Sequence, residues 1–242
     1  MRTLSAAELL DVWEHGQSQH PLDRALTLLA AACPDKEREE LMHLSIGERD
    51  ALLLSLRQLT FGPQMESYAE CPACGAQLEF NINIETLLRD RHDAGGGEQS
   101  TKLNGFSIRF RLPDSVDLAE CINTTSGKAS RALLQRCIVK ATRNKKMVGI
   151  DEIPEAVVAA LAARMAELDP LADICIALNC SECDHRWEVL LDIQTFLWEE
   201  LCWQVKQSLN QIHILARAYG WREADILAIS PWRRQYYLDM VT

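Results

Sequence analysis

Two copies of one cysteine-containing pattern determine the fold of this chain. The first copy reads Cys71-Pro-Ala-Cys74-Gly-Ala-Gln-Leu78-Glu79-Phe80-Asn-Ile-Asn-Ile84-Glu-Thr86-Leu-Leu88. The second copy begins 109 residues later, is identical at 6 of 18 positions, and reads Cys180-Ser-Glu-Cys183-Asp-His-Arg-Trp187-Glu188-Val189-Leu-Leu-Asp-Ile193-Gln-Thr195-Phe-Leu197. Each copy predicts a β-strand, a cysteine turn, a second strand and the beginning of a helix.

The paired cysteines predict one structural Zn²⁺ site with four ligands, Cys71, Cys74, Cys180 and Cys183. Four thiolates in a tetrahedral arrangement suit zinc and leave no open position for catalysis. The two pairs of a zinc ribbon are usually separated by about 15–20 residues, whereas 105 residues separate Cys74 from Cys180 here. We therefore expect a split zinc ribbon whose connecting loop has been replaced by a long insertion, because loop-closure entropy grows only slowly with length.

Three alternatives to the four-cysteine site remain open. Each Cys-x-x-Cys pair could be a redox dithiol, or the thiols could have no ligand role. His185 could also replace one cysteine, although the first copy has Ala76 at the corresponding position. The five other cysteines lie in apolar surroundings and are expected to pack as small hydrophobic residues.

The fold class predicted is α+β and predominantly helical, with the split zinc-ribbon-like β element flanked by N- and C-terminal helices. The predicted regions are an N-terminal helical region (1–62), two ribbon halves (63–88 and 171–193), an inserted strand and helices (89–170), and a C-terminal helical region (194–242). Capping boxes at Ser5 and Ser45 predict two of the N-terminal helix starts. Within the insertion we expect a flexible loop, a strand and three helices, over residues 94–100, 106–112, 115–123, 127–142 and 154–168.

Charge and hydropathy exclude several classes of protein. The chain has 25 Lys and Arg against 35 Asp and Glu, a net charge of −10. Such a chain is repelled by phosphate backbones and anionic lipid, so we expect no nucleic-acid partner. Its apolar runs are shorter than the roughly 20 residues of a membrane span, and the N-terminus lacks a secretory apolar region. We therefore expect no membrane insertion and a cytoplasmic location.

Catalytic motifs are missing from the sequence. The sequence contains no Gly-x-Ser-x-Gly, His-Glu-x-x-His or Gly-x-Gly-x-x-Gly pattern, which are the signatures of several hydrolase, metalloprotease and dinucleotide-binding sites. We therefore expect a protein that is not an enzyme and has no small-molecule substrate.

The C-terminal 45 residues hold seven of the fifteen aromatic residues of the chain. Trp, Tyr and Arg are enriched at the energetic centres of protein interfaces. The residues predicted to bind a partner are Tyr219, Trp221, Trp232, Arg233 and Tyr236. The alternative is that these aromatic side chains pack in the core of the last helices.

Four segments together resemble a known family. They are Leu9-Leu10-Asp-Val-Trp13-Glu-His-Gly16, Pro21-Leu-Asp-Arg24-Ala-Leu26, Cys71-Pro-Ala-Cys74-Gly75, and His213-Ile-Leu-Ala216-Arg-Ala-Tyr219-Gly220-Trp221-Arg-Glu-Ala-Asp-Ile226-Leu. They are similar to the baseplate hub assembly chaperone-like proteins of contractile-tailed phages and related contractile injection systems. The resemblance implies a protein made in the bacterial cytoplasm that helps to build a baseplate, with other baseplate or hub proteins as partners. It leaves open whether the protein stays in the finished particle, and it brings no catalytic residues.

Two functions from different classes follow. The first is a non-enzymatic assembly factor or minor structural component of a contractile baseplate. The second is a zinc-ribbon adaptor that binds nucleic acid or the transcription machinery. Charge favours the first, because nucleic-acid-binding ribbons carry basic patches and the sequence shows only isolated pairs such as Lys145-Lys146.

Overall fold

The computed structural model describes residues 1–89, 97–122 and 126–241 and has an α+β fold. It divides into two units, which are described separately. The first unit combines residues 1–35 with the C-terminal residues from 193 onward, and the second comprises residues 36–192. No helix among the described residues combines the length and apolar character that a membrane span requires.

The first unit is helical. Its helices are α1 (Ala6–Gly16), α2 (Pro21–Ala32), α9 (Ile193–Tyr219), α10 (Glu223–Ala228) and α11 (Pro231–Leu238). The predicted capping box forms at the start of α1, where the Ser5 side chain accepts a hydrogen bond from the Glu8 backbone N–H and the Glu8 carboxylate accepts one from the Ser5 N–H. Both α1 and α2 pack against α9, and the Arg24 guanidinium lies 4.7 Å from the centre of the Trp198 ring.

Among the described residues, the second unit contains the remaining helices and all the strands. Its helices are α3 (Arg38–Met42), α4 (Ile46–Phe61), α5 (Ile84–Arg89), α6 (Ser115–Cys121), α7 (Ser126–Cys137) and α8 (Glu155–Leu168), with 3-10 turns at Ile150–Glu152 and Pro170–Ala172. Its strands are β1 (Gln64–Glu70), β2 (Gln77–Asn83), β3 (Gln99–Leu103), β4 (Phe106–Phe110), β5 (Ile138–Arg143), β6 (Lys146–Met147), β7 (Cys175–Asn179) and β8 (Arg186–Leu190).

The strands form three antiparallel sheets, namely β1-β2, β7-β8 and a four-stranded sheet in the order β3-β4-β5-β6. In the four-stranded sheet Phe106, Ile108 and Phe110 are buried, and they form one core with Val157 and Leu161 of α8. This alternation of buried and exposed residues along β4 is the pattern of a sheet with one face on a core.

The sequence prediction for this insertion was incomplete, because one strand was expected and the described residues form four, β3, β4, β5 and β6. The helix expected over residues 127–142 ends at Cys137, and residues 138–143 form β5, which pairs with β4. The β-branched pair Ile138-Val139 favours a strand, and pairing with a distant strand overrides the helical pattern that precedes it. Of the loop expected over residues 94–100, residues 94–96 lie outside the described residues and Gln99 and Ser100 belong to β3.

A buried carboxylate joins three elements of the second unit. Asp117, at the start of α6, is fully buried and accepts hydrogen bonds from both terminal nitrogens of Arg111 and from Nε of Arg136, the latter at 3.0 Å. Its carboxylate also accepts the backbone N–H of Asp114 at 3.2 Å. Burial alone raises the pKa of Asp117, but these donors outweigh it and lower the pKa below its usual value.

Candidate metal centre

The sequence repeat is also a structural repeat. In the first copy β1 and β2 pair so that Glu70 lies opposite Gln77. In the second copy β7 and β8 pair so that Asn179 lies opposite Arg186. Each residue of the second pair lies 109 positions after its counterpart, so the strand register follows the offset of the sequence. The two copies therefore form the same hairpin.

The turn of the first hairpin is closed by two backbone hydrogen bonds. The Cys71 N–H donates to the Ala76 carbonyl at 2.8 Å, and the Gly75 N–H donates to the Cys71 carbonyl at 2.9 Å. Gly75 has φ of 75°, in the left-handed region that glycine adopts without steric cost. This turn brings both cysteines of the pair to the same end of the hairpin.

The second turn repeats this arrangement. The Cys180 N–H donates to the His185 carbonyl at 2.9 Å, and the Asp184 N–H donates to the Cys180 carbonyl at 3.0 Å. Asp184 takes the place of the glycine with φ of 56°, a conformation that Asp tolerates better than most residues. The same backbone geometry thus arises from two sequences that share only the cysteines within the turn.

The two turns face each other and bring the four sulfurs together. The Sγ atoms of Cys71 and Cys183 lie 3.7 Å apart, and those of Cys74 and Cys180 lie 3.6 Å apart. All four Sγ atoms lie within 4.8 Å of one another. Zinc–sulfur bonds of about 2.3 Å in a tetrahedron place the sulfurs about 3.8 Å apart. The donor set and its spacing therefore fit one zinc ion.

The first cysteine of each pair is buried and the second is exposed. Cys71 and Cys180 are 1% and 0% accessible, whereas Cys74 and Cys183 are exposed. The cluster consequently lies at the surface of the second unit, with one buried side and one side towards solvent. A buried thiol pair of this kind fixes the geometry, while the exposed pair leaves a path by which an ion enters.

Backbone N–H groups point at the buried sulfurs. The Glu182 N–H lies 3.4 Å from the Cys180 Sγ, and the Ala73 N–H makes the corresponding bond to Cys71. Burial alone raises the pKa of the Cys71 thiol, but this bond, the Cys74 N–H and the neighbouring thiols lower the pKa to about 7. Donors aimed at sulfur favour the thiolate, which is the form that binds metal.

The exposed sulfurs behave differently. The Cys183 sulfur accepts a hydrogen bond from the backbone N–H of His185, which lowers the pKa of its thiol. The three other thiols and burial disfavour a negative charge on this sulfur and raise the pKa to about 12. The N–H of Ala76 and the Cys183 thiol lower the pKa of Cys74, but burial and the thiols of Cys180 and Cys71 outweigh them and raise it. Four thiolates this close repel one another, so full ionisation requires a cation at the centre.

His185 takes another role in the structure. The group of possible metal ligands consists of the four cysteines. The imidazole of His185 is stacked on the ring of Trp187, with the ring centres 6.0 Å apart. Its backbone, rather than its side chain, contributes to the centre, since the carbonyl holds the Cys180 turn and the N–H bonds to the Cys183 sulfur.

The five aromatic and basic residues predicted to bind a partner separate into two groups. Tyr219 and Trp221 stack on each other with ring centres 4.6 Å apart, and both contact the ring of Tyr237. In contrast, Trp232 is 88% exposed and Tyr236 is 67% exposed. The rings of the first group pack on one another, although Tyr219 is still 37% exposed. The second group, together with the exposed Arg233, faces solvent.

Sequence reasoning missed part of this exposed surface. Met240 is 62% exposed and, with Trp232, Tyr236 and Tyr237, lines one groove. Trp232 and Tyr236 are four residues apart on α11, which is the spacing of one helical face, and Met240 follows at the same interval just beyond the end of the helix. This four-residue spacing was the sequence signal that could have included Met240 in the predicted surface. We call Trp232, Arg233, Tyr236 and Met240 the C-terminal aromatic face.

Comparison with protein families identifies a family to which most of the chain is similar. Residues 3–198 match a family model described as T4 bacteriophage base plate protein. The matched region includes all four clustered cysteines and ends within α9, before the C-terminal aromatic face. Curated proteins and solved structures give no match.

Proposed function

The chain belongs to the T4 bacteriophage base plate protein family, and from that membership we propose that it is a non-enzymatic assembly factor or minor structural component of a contractile baseplate. The observation that carries this proposal is the family match over most of the chain. A phage tail and a related contractile injection particle are both suitable settings. The hub assembly role follows from the resemblance of the N-terminal, cysteine and C-terminal segments described above.

We further propose that Cys71, Cys74, Cys180 and Cys183 hold one structural Zn²⁺. The support is the spacing of the four sulfurs, the N–H groups directed at them, and the matching geometry of the two turns. When bound, the ion ties together two hairpins that are distant in sequence and neutralises the repulsion among their thiolates. Metal binding and folding are then coupled.

A structural role for the ion agrees with the proposed non-enzymatic function. Four protein ligands fill a tetrahedral zinc site, so no position remains for water or substrate. The metal centre would therefore stabilise the scaffold that presents interaction surfaces, which suits a component of a large assembly.

We propose that the C-terminal aromatic face binds another baseplate or hub protein. Its side chains are large, rigid and solvent-exposed, and Trp, Tyr, Met and Arg are favoured at interface centres. Tyr219 and Trp221 would contribute indirectly, because their stacking against Tyr237 of α11 supports the helix that carries this face.

The assembly role is tested by removing the gene from a bacterium that produces the particle and examining lysates by electron microscopy. We expect tubes and sheaths without complete baseplates, and restoration by the wild-type gene. Normal particles in the deletion strain would refute the assembly role. Mass spectrometry of purified particles then distinguishes a retained component from a factor that acts only during cytoplasmic assembly.

A further inference from the structure

Charge is distributed very unevenly along this acidic chain. Residues 97–149 contain ten Lys and Arg and four Asp and Glu, which leaves 15 basic and 31 acidic residues in the rest of the chain. The basic residues are spaced along the sequence, so they form no conspicuous run. The structure, however, collects several of them on one surface.

That surface is the outer face of the four-stranded sheet. Lys102, Ser107, Thr142 and Met147 form one cross-strand row, and Ser100, Arg109 and Lys140 form the next. Because the opposite face packs on the core, these side chains point away from it. All except Thr142 are exposed. We call these seven residues the basic sheet face.

The positive charge of this face is largely unneutralised. Arg109 pairs with Glu98 at 2.8 Å, and both side chains are about half exposed, at 50% and 47%, so the pair is weak. Lys102 and Lys140 form no ion pair with any described residue. Met147, 71% exposed at the edge of the sheet, adds an apolar contact to the charged rows.

A second exposed sheet face has the opposite charge. On the β1-β2 hairpin Glu66, Glu70 and Glu79 are exposed on the same side as Tyr68, which is 78% exposed and lies opposite Glu79. Neither strand contains a Lys or Arg, and these three carboxylates form no ion pair within the described ranges. We call these four residues the acidic hairpin face.

We propose that the basic sheet face of one copy of this protein docks on the acidic hairpin face of a second copy. Both are exposed β surfaces, their charges are opposite, and each has one large exposed side chain, Met147 or Tyr68. The two faces differ, so the contact is heterologous, and a contact of this type repeats into a ring or an open filament. This inference does not depend on the proposed baseplate role.

The size of the face predicts a weak contact. Three strands of five or six residues and the two-residue β6 form a surface roughly 15 Å on each side, which is smaller than a standard protein interface. We therefore expect dissociation constants of about 10–100 µM in solution. Copies held close together on an assembling particle would have a much higher effective concentration.

Nucleic acid fits the basic sheet face less well. The face has no aromatic side chain on which a base could stack, and the protein as a whole carries a charge of −10. Binding of a labelled DNA duplex is nevertheless included in the test below as a contradicting outcome.

The test uses two charge-reversed variants of the full chain, Lys102→Glu/Lys140→Glu and Glu66→Lys/Glu79→Lys. Sedimentation is measured from about 5 to 500 µM at about 0.15 M salt, where the Debye length of about 8 Å screens the net repulsion between copies. We expect the wild type to associate with rising concentration and each variant alone to associate at least about tenfold more weakly. Mixed together, the variants should associate again, because the intact acidic hairpin face of the first meets the intact basic sheet face of the second.

The matched control is Lys36→Glu/Lys206→Glu, which makes the same change in charge at two exposed lysines outside the face. It should associate like the wild type. A wild type that stays monomeric over the whole range contradicts the proposal, as does a mixture of the two variants that forms no complex. Salt-sensitive binding of the DNA duplex that is lost in Lys102→Glu/Lys140→Glu, without self-association, would assign the face to nucleic acid instead.

Discussion

The Sγ atoms of Cys74 and Cys180 lie 3.6 Å apart although 105 residues separate them in the chain. Cys71 and Cys183 make the equivalent contact at 3.7 Å. Exchanging the two hairpins exchanges one contact for the other, so the cluster has approximate two-fold symmetry. A metal at its centre would close a loop that contains β3, β4, β5, β6 and α8. The metal should therefore affect the stability of the whole second unit.

Cys180→Ser should lower zinc affinity and the melting temperature. The variant replaces a buried ligand, and metal binding to a four-ligand centre contributes to folding free energy. Cys175→Ser is the matched control, because Cys175 is exposed and lies outside the cluster. We expect the control to keep its zinc and its melting temperature, measured by elemental analysis and thermal unfolding. If the two variants had the same zinc content and melting temperature, Cys180 would not be a metal ligand.

Asp117→Asn should destabilise the protein by about 2–3 kcal/mol. The carboxylate is the acceptor in the four hydrogen bonds described above and in a fifth from the Cys137 Sγ, so an amide NH₂ group would face donors. The two arginines are 37% and 40% exposed, which reduces the loss through solvent screening. Denaturant unfolding at pH 7 measures the difference, and an unchanged midpoint would contradict the assigned network.

The same carboxylate predicts a pH dependence. The pKa of Asp117 is lower in the folded protein than in the unfolded chain, where an aspartate has a pKa of about 3.9. The ionised carboxylate therefore stabilises the fold above the unfolded pKa, and this stabilisation is lost as the pH falls through the folded pKa. Between pH 5 and pH 3 the wild type should therefore lose more stability than Asp117→Asn. Parallel loss in both proteins would show that Asp117 does not titrate in this way.

Gly16→Ala should destabilise the first unit by about 1–3 kcal/mol. Replacing glycine by alanine within a helix usually stabilises it by about 0.5–1 kcal/mol, but a Cβ at Gly16 would overlap the ring of Trp198. The overlap outweighs the helix preference, because the Trp198 ring is buried. In a double-mutant cycle with Trp198→Leu the substitution at Gly16 should become less costly. If the destabilisations by Gly16→Ala and Trp198→Leu were additive, the Trp198 ring would not be the cause of the cost at Gly16.

Trp232→Ala/Arg233→Ala should leave the fold intact and abolish partner binding. Both side chains are exposed, so zinc content and melting temperature should not change, while co-purification with hub or baseplate proteins should fail. The contrasting variant is Trp221→Ala, which removes a stacked ring and should lower the melting temperature. Normal co-purification of the double variant would contradict the assignment of this face.

The four-cysteine cluster and both hairpins could be predicted from the sequence because the repeat has a constant offset. It aligned the cysteines, the strands and even the helix starts at Ile84 and Ile193. The strand β5 was not accessible, since the chain passes from α7 into β5 at Cys137 and Ile138 without a glycine or proline. Its partner is β4, a non-local pairing that local periodicity does not encode.

Exposure of aromatic residues also required the structure. Tyr219 and Trp232 lie in the same aromatic-rich C-terminal stretch, yet Tyr219 stacks on Trp221 and is 37% exposed, whereas Trp232 is 88% exposed. The basic sheet face could not be predicted from the sequence either. Lys102 and Lys140 are far apart in sequence, and only strand pairing places them on one surface.

The most direct test is the metal content and coordination of the wild-type protein, purified under reducing conditions without chelator. Elemental analysis should give one zinc per chain, and X-ray absorption should show four sulfur neighbours at about 2.3 Å. Protein that folds without zinc, or zinc bound by fewer than four sulfurs, would contradict the proposal that Cys71, Cys74, Cys180 and Cys183 form one structural centre.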